Sequence, residues 1–415
     1  MSDDAVERRS EELPRPRIAV VSPFLDKSHG SERIVVEWLS NLPETFDVHI
    51  YSQRVEDIDP SRFKWHRIPK LPAPFLINFL WWLVACRLWI GWHRRFDGSR
   101  YDLIFSSGVN YPGADIICVH IVFAQYVRQI GAETGLLHNS VWRWPRLLHR
   151  KLYYAIVRLV ENSAFRNPAT TLVVNSRKTA RDIALNFDRT ESMPLIYLGI
   201  DHAVFNPARR DALRDRARAE LGLGDEQFAI IVVGNDWLNK GVPVLLEAVE
   251  LLRELPLRLL LVSREESSRW QKLVVENRLN GRVSLLPPRK DIEFYYAAAD
   301  AYAGPSLQDA YAMPPAEAMA CGLPVIVSSA AGVSEIVTDG TDGLILTDPR
   351  DSATLASMIR RLYEDKDFRT HLGERAAVTT CRFTWEKNGR ELAAILQQIL
   401  RQKSSWARQT LTQEQ

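Results

Sequence analysis

Four cysteines in 415 residues, Cys86, Cys118, Cys321 and Cys381, stand far apart and never in a Cys-x-x-Cys pair. That spacing excludes a disulfide framework and a zinc ribbon, and it fits a reducing cytoplasm. Charge of one sign is missing as well: 53 Lys and Arg face 51 Asp and Glu, a net +2 that argues against a nucleic-acid partner. The uncharged stretch from Leu71 to Cys86 has sixteen residues, short of the ~20 needed to span a bilayer. The first residues, MSDDAVERRSEEL, have no apolar segment and read as a disordered lead-in rather than a signal peptide. Neither a Walker loop nor a complete G-x-G-x-x-G occurs, since LGLGDEQ lacks its third glycine, so ATPase and dehydrogenase readings lose their main support. There is no fixed-period repeat and no low-complexity tract.

What is present is an alternation of short β-branched runs with longer helical patterns. In the first half the predicted strands are 17–22, 47–52, 101–107, 114–120 and 170–176; in the second they are 228–234, 257–263, 281–287, 300–306, 323–329 and 342–347. This is the pattern of parallel α/β sheets, and it predicts two Rossmann-like, doubly wound domains facing across a cleft. The segment IYLGIDHAVFNP, 196–207, interrupts both periods, so the expected domains are 15–198 and 199–383, with a C-terminal helix 384–403 packing back on the first. Between residues 15 and 200 there are 24 Lys or Arg against 16 Asp or Glu, which favours anionic partners for that half.

Three loops carry candidate chemistry. SPFLDKSHGSER follows the first strand and opens a helix with apolar Ile34, Val35, Trp38, Leu39 and Leu42; Gly30 there allows close backbone approach, and the helix N-terminus offers N–H groups to an anion, or else Gly30 is a turn glycine only. NDWLNKG follows FAIIVVG, and Lys240 can neutralise a diphosphate or simply be solvated. In DAYAMPPAEAMACG, Pro314 and Pro315 suit a first helical turn and Gly322 its end, which puts Asp309 in the loop and Glu317 within about a turn of the helix start. Each carboxylate can accept bonds from hydroxyls beside a diphosphate held on the N–H groups, although a glutamate near a helix start is favourable without any ligand.

The block GPSLQDAYAMPPAEAMACGLPVIVSSAAGVSEIV, 304–337, resembles the donor-site signature of retaining GT-B glycosyltransferases of family 4, P-S-x-x-E-x-F-G-x-x-x-x-E-A-M-A-x-G-x-P-V. HGSER (29–33), the histidine ending VH at 120, VVNS (173–176), IYLGID (196–201) and VGNDWLNKG are similar to further family segments and occur in the same order. The resemblance implies that Glu317 binds the donor ribose, Asp309 the transferred sugar and Lys240 the diphosphate. It implies His120 at the sugar or reacting centre, backbone of Ala310, Tyr311, Ala312 and Met313 near sugar and phosphate, and Gly30 and Ser31 facing them. It also implies a nucleotide-diphosphate sugar as co-substrate, no metal and no other cofactor, and retention by same-face attack.

The sequence departs from the family at three points. Asn235 stands where the family has a phosphate-binding arginine, Asp309 is one methylene shorter than the family's glutamate, and Tyr311-Ala312 replaces Phe-Gly. Seven of the 12 tryptophans, Trp65, Trp81, Trp82, Trp89, Trp92, Trp142 and Trp144, are concentrated in the first half beside Arg87, Arg94, Arg95, Arg143, Arg146, Arg150 and Lys151. Residues 71–95 and 141–151 are therefore a peripheral membrane contact, a buried core helix or an apolar acceptor wall. The expected protein is a cytoplasmic hexosyltransferase, possible also on the inner membrane face, with a polysaccharide or lipid-linked acceptor. The alternatives are an epimerase or phosphorylase on the same architecture, and a sugar-nucleotide-binding protein that has lost catalysis.

Overall fold

The structure, a computed structural model, describes residues 15–28, 30–96, 100–130, 144–265 and 267–413. Twelve strands form two six-stranded sheets. The first comprises β1 (Arg17–Val21), β2 (Asp47–Ser52), β3 (Lys64–Arg67), β4 (Leu103–Ser107), β5 (Ile116–Val119) and β6 (Thr171–Val174), in the order β3-β2-β1-β4-β5-β6. The second comprises β7 (Phe228–Val233), β8 (Leu257–Val262), β9 (Val283–Leu286), β10 (Ala301–Gly304), β11 (Val325–Ser328) and β12 (Leu344–Leu346), in the order β9-β8-β7-β10-β11-β12. Both orders are the doubly wound dinucleotide-fold order, which reverses direction beside the first strand and opens a ligand position at the strands' carboxyl ends. The paired strands whose register is resolved run parallel, for example Leu257↔Phe228 through Val262↔Val233.

All eleven strands predicted from periodicity are present. FAIIVV and LRLLLV are nearly uninterrupted apolar runs because a parallel strand is covered on both faces. The twelfth, β3, reads KWHR with an exposed pattern, an edge strand whose charges leave no alternating signal to find. A two-residue pairing of Phe24–Leu25 with Arg54–Val55 is too short to show in any period.

By compactness the chain divides into residues 1–118, 169–171 and 392–415, and residues 119–168 and 172–391. This division differs from the joint expected at 198. Helices Phe123–Ile130, Trp144–Phe165 and Arg177–Phe187 pack among themselves, and residues 176–182 bond to 308–310 and 335, which draws them into the second unit. In the first unit, Ile18, Val20, Trp38, Phe105, Leu392 and Leu396 are buried together, and Lys403 on helix Trp385–Gln413 pairs with Asp115 at 2.8 Å. In the second unit the core gathers Ile230, Val232, Trp237, Leu245, Leu259 and Trp270 around the sheet.

Helix Phe75–Phe96 is longer than its uncharged stretch, and by length and composition alone it could cross a membrane. Its two faces differ. Leu76, Trp82, Leu83, Cys86 and Ile90 are buried, whereas Ile77, Leu80, Val84, Leu88 and Trp92 recur at helical spacing and are exposed, Leu88 by 58% and Trp92 by 61%. Trp82 is therefore core, and the open stripe belongs to its neighbours. On helix Trp144–Phe165, Trp144, Leu148 and Leu152 are exposed; Trp142 and Arg143 lie outside the described residues, as do the lead-in 1–14 and His29.

Candidate active site

Two loops at the carboxyl ends of adjacent strands β7 and β10 build the site. The first, Gly234 to Gly241, needs glycine at both ends. At Gly234, φ +143, an added Cβ would lie 2.9 Å from Cε of Lys240, so the lysine side chain runs across the bare backbone. At Gly241, φ +73, an added Cβ would lie 2.0 Å from the carbonyl oxygen of Pro305, so the two loops touch there. Asn239 stitches them further: its Nδ2 donates to the carbonyl of Gln308 at 2.7 Å, and its own carbonyl accepts from Leu307 N–H at 2.7 Å.

Lys240 Nζ then lies 2.5 Å from Asp309 Oδ2, with both side chains more than four-fifths buried. A charge-assisted bond in a partly dry setting is screened less than a surface pair, and its attraction offsets the cost of burying the two charges. Glu317 is buried at 5% on helix Met313–Ala320, and Tyr296 O–H donates to its Oε2 at 3.0 Å. Burial, and then the Glu317 charge, push the Tyr296 phenol well up, so it remains a donor at neutral pH. The carbonyl of Ala310 accepts from Ser176 Oγ at 2.6 Å, and Gly332 packs so tightly that a Cβ there would lie 2.1 Å from the same oxygen. Tyr311 is buried with its phenol pushed up by desolvation. Ala312, the residue before the helix, sits at φ +71, ψ 93, a conformation that disfavours any Cβ. Met313 follows it as the first helical residue.

His120 follows β5 and borders a cavity of about 90 Å³ with Tyr126, Asp182, Asn239, Gln308 and Asp309, all within the second unit. Desolvation pulls its imidazole down to about 4, so at neutral pH it is a neutral hydrogen-bonding group and not a cation. Asn235 is occupied in bracing the neighbouring loop: its Oδ1 accepts from Ser263 Oγ and from Arg264 N–H, each at 3.1 Å. Gly30 and Ser31 belong to the first unit. Gly30 opens helix Gly30–Ser40 with nothing within 4 Å of a built Cβ, and Ser31 Oγ donates to Glu32 at 2.5 Å.

Other residues around the cavity were not singled out by the sequence. Tyr126 O–H donates to Asp236 Oδ2 at 2.6 Å, and Asp236 sits at φ +59 directly after Asn235. Lys178, Asp182 and Gln308 close a triangle: Lys178 Nζ reaches Asp182 and Gln308 Oε1 at 2.7 Å each, and Gln308 Nε2 reaches Asp182 at 2.8 Å. The four-residue spacing of Lys178 and Asp182 on one helix was the only hint of it in the sequence. Glu335 accepts from Arg177 and Lys178 N–H at 2.9 and 2.6 Å, capping that helix from afar.

Residues 227–365 match the family model described as glycosyl transferases group 1. The D-inositol 3-phosphate glycosyltransferase of Corynebacterium jeikeium is 31% identical over 333 residues, covering 73% of this chain and 76% of its own. This chain belongs to that glycosyltransferase family. The protein of the same name from Corynebacterium kroppenstedtii is 28% identical over 327 residues, covering 72% and 71%. Among solved structures, WaaG, a glycosyltransferase involved in lipopolysaccharide biosynthesis, superposes with a TM-score of 0.74 at 21% identity, over 91% of this chain and 99% of its own. Anabaena HepE in complex with UDP and glucose gives 0.68 at 18% identity, over 92% and 100%. These likenesses establish the GT-B fold, and membership of the family makes the protein a glycosyltransferase that uses a nucleotide sugar.

The two backbone extremes predict opposite stability changes. Gly241→Ala must displace Pro305 and adopt a positive φ, a cost of about 2–4 kcal/mol. Ala312→Gly removes about 1–3 kcal/mol of strain and adds about 0.5–1 kcal/mol of unfolded-state entropy, so the enzyme gains roughly 1 kcal/mol. Thermal unfolding of both purified variants checks this, with Gly241→Ala melting below the wild type and Ala312→Gly above it.

Proposed function

We propose that the protein transfers a hexosyl unit from a nucleotide-diphosphate sugar with retention at the anomeric carbon and without a metal ion. The observation that carries this is the Lys240–Asp309 pair between the two strand-end loops. An arriving diphosphate competes for Lys240, which moves from the carboxylate to the phosphate charge and stabilises the leaving group. Asp309, released from the ammonium, accepts hydrogen bonds from the transferred sugar. Glu317, held by Tyr296, accepts from the ribose hydroxyls, and neutral His120 bonds to the sugar from the cavity wall. The bond from the anomeric carbon to the phosphate oxygen breaks, the acceptor oxygen bonds to the same face, and the acceptor proton passes to the departing phosphate oxygen. Such a step uses no dedicated protein base.

The acceptor is read as a glycan or lipid-linked intermediate at the inner face of a membrane, because helix Phe75–Phe96 leaves a stripe of exposed apolar side chains beside exposed Arg87, Arg94 and Arg95. A phosphorylated cyclitol is the second reading, favoured by the name of the relatives reported above, D-inositol 3-phosphate glycosyltransferases.

Thermal protection by UDP-, GDP-, ADP- and dTDP-sugars identifies the donor, and its turnover tests the roles. Lys240→Ala should lower kcat about 10²-fold as a lost leaving-group stabiliser. Asp309→Ala should act mainly on kcat and Glu317→Ala mainly on KM for the donor. Normal kinetics in all three would sink the assignment, and an inverted anomer in the product would remove retention.

Flotation on anionic vesicles tests the membrane reading. Each exposed arginine contributes roughly 1 kcal/mol near an anionic leaflet. Arg87, Arg94 and Arg95 changed to Gln should weaken attachment chiefly at low salt, whereas Ile77, Val84 and Leu88 changed to Ser should release the protein at every salt concentration. These six side chains are exposed, so circular dichroism should stay native. Wild-type protein that never floats would end the proposal.

A further inference from the structure

Helix Phe123–Ile130 starts three residues after His120, and its first N–H groups point at a buried acid. Phe123 N–H donates to Glu161 Oε1 at 2.6 Å and Ala124 N–H to Glu161 Oε2 at 2.9 Å, so both carboxylate oxygens are engaged by one helix start. Glu161 lies on helix Trp144–Phe165 and is fully buried, 0% exposed. Among the described residues it joins no ion pair. Burying an acid without a cation in contact is costly, and an exposed Ser or Asp would cap a helix at far less expense, so the carboxylate calls for a reason beyond capping.

The reason lies in what the capped segment carries. His120 borders the cavity, and Tyr126 donates to Asp236 in the loop that carries Lys240. Residues 120–126 thus reach the donor site twice, and Glu161 holds the turn between the two contacts. We propose that Glu161 is a positioning residue that sets His120 and Tyr126 against the donor site, and that it does so only as the carboxylate. The inference rests on the reading of that site given above.

The ionised acid accepts both N–H bonds. Protonation turns one oxygen into a hydroxyl donor facing an N–H donor, and that bond is lost. Desolvation raises the Glu161 carboxyl to about 7, so the change falls at neutral pH. Arg158, on the same helix, is the charge that acts on it. Of the other titratable groups on the packed helices, Tyr126 and Arg128 lie on Phe123–Ile130, Arg181 and Asp182 on Arg177–Phe187, and Tyr153 and Tyr154 on its own helix. Tyr126 is pushed far up and Tyr153 up to about 12, while His120 is held near 4, so none of these three titrates alongside Glu161.

The test begins without any sugar. In histidine-selective nitrogen NMR, the His120 signal, assigned by its loss in His120→Gln, should move with a midpoint near pH 7 in the wild type. In Glu161→Gln it should stay at its acid-side position between about pH 5 and 9, and Glu161→Asp should restore part of the movement. Turnover of UDP-glucose should then show an acid limb in kcat near the same pH. Glu161→Gln should lower kcat about 10-fold, leave KM within about 2-fold and abolish the limb. A wild-type His120 signal that ignores pH between about 5 and 9, or a folded Glu161→Gln enzyme that keeps the limb, overturns the proposal. If Glu161→Gln does not fold, the wild-type titration and the Asp variant decide it. If the wild type does not turn over UDP-glucose, the fault lies in the donor reading, and the NMR titration still decides the role of Glu161.

Discussion

Lys240 and Asp309 come from the carboxyl ends of adjacent parallel strands, and the bond between them ties the two loops on which the site depends. Neither charge could stay buried alone: removing one partner leaves an uncompensated ion, a loss of several kcal/mol, whereas the intact pair adds little to net stability. A pair of that kind costs little to keep and little to exchange. On the function proposed above, an anion that offers Lys240 a better partner than Asp309 meets a site already shaped for it and frees the carboxylate for the sugar hydroxyls. The glycines at 234 and 241 are what allow the lysine to lie there at all, since a methyl at either would collide with the lysine stem or the opposite loop.

Burial sets the protonation of the surroundings. His120 is pulled down to about 4, and Tyr296, Tyr302 and Tyr311 are pushed up by desolvation, so this imidazole and these phenols are neutral donors and acceptors at pH 7. Their pH linkages differ in sign. His120 binds its proton less tightly folded than unfolded, so stability is lost as pH falls from about 6.5 towards 4. Glu161 binds its proton more tightly when folded, so the cost of its charge grows as pH rises from about 4.5 to 7 and is constant above. Between those limits the two oppose each other. A flat stability profile on the acid side would thus conceal two titrations that kinetics and NMR can separate.

Much of this was legible in the sequence, and the reason for what was not is physical. Sheet strands buried on both faces announce themselves by composition, and the strand-end loops by Gly241 and the Pro314-Pro315 helix start. Lys240, Asp309 and Glu317 could be named because each sits at a fixed offset from such a landmark. Tyr126 with Asp236, 110 residues apart, and Glu161 with Phe123, 38 apart, have no landmark in common; only tertiary packing brings them together, helix on helix for the second pair and helix on strand-end loop for the first. The exposed edge strand β3 failed to show because it has no apolar period, whereas helix Phe75–Phe96 was legible as an apolar segment but which of its faces is buried was not.

The departures from the family pattern become more coherent as geometry. Asn235 removes a cation from the loop, but its oxygen holds Ser263 and Arg264, so the position has exchanged phosphate charge for loop order. Asp309 is a methylene shorter than glutamate, yet it closes on Lys240 at 2.5 Å because Gly234 lets the lysine stem cross the backbone toward it. Ala312 keeps the positive φ that a glycine would adopt without strain, so the loop has retained its path while accepting a methyl. Asn235 lowers the positive charge of its loop, Ala312 adds a methyl to the second loop, and Asp309 keeps its charge on a shorter stem. On the function proposed above, a site altered in that way is selective before it is weak, since the lysine assigned to the leaving diphosphate remains in place.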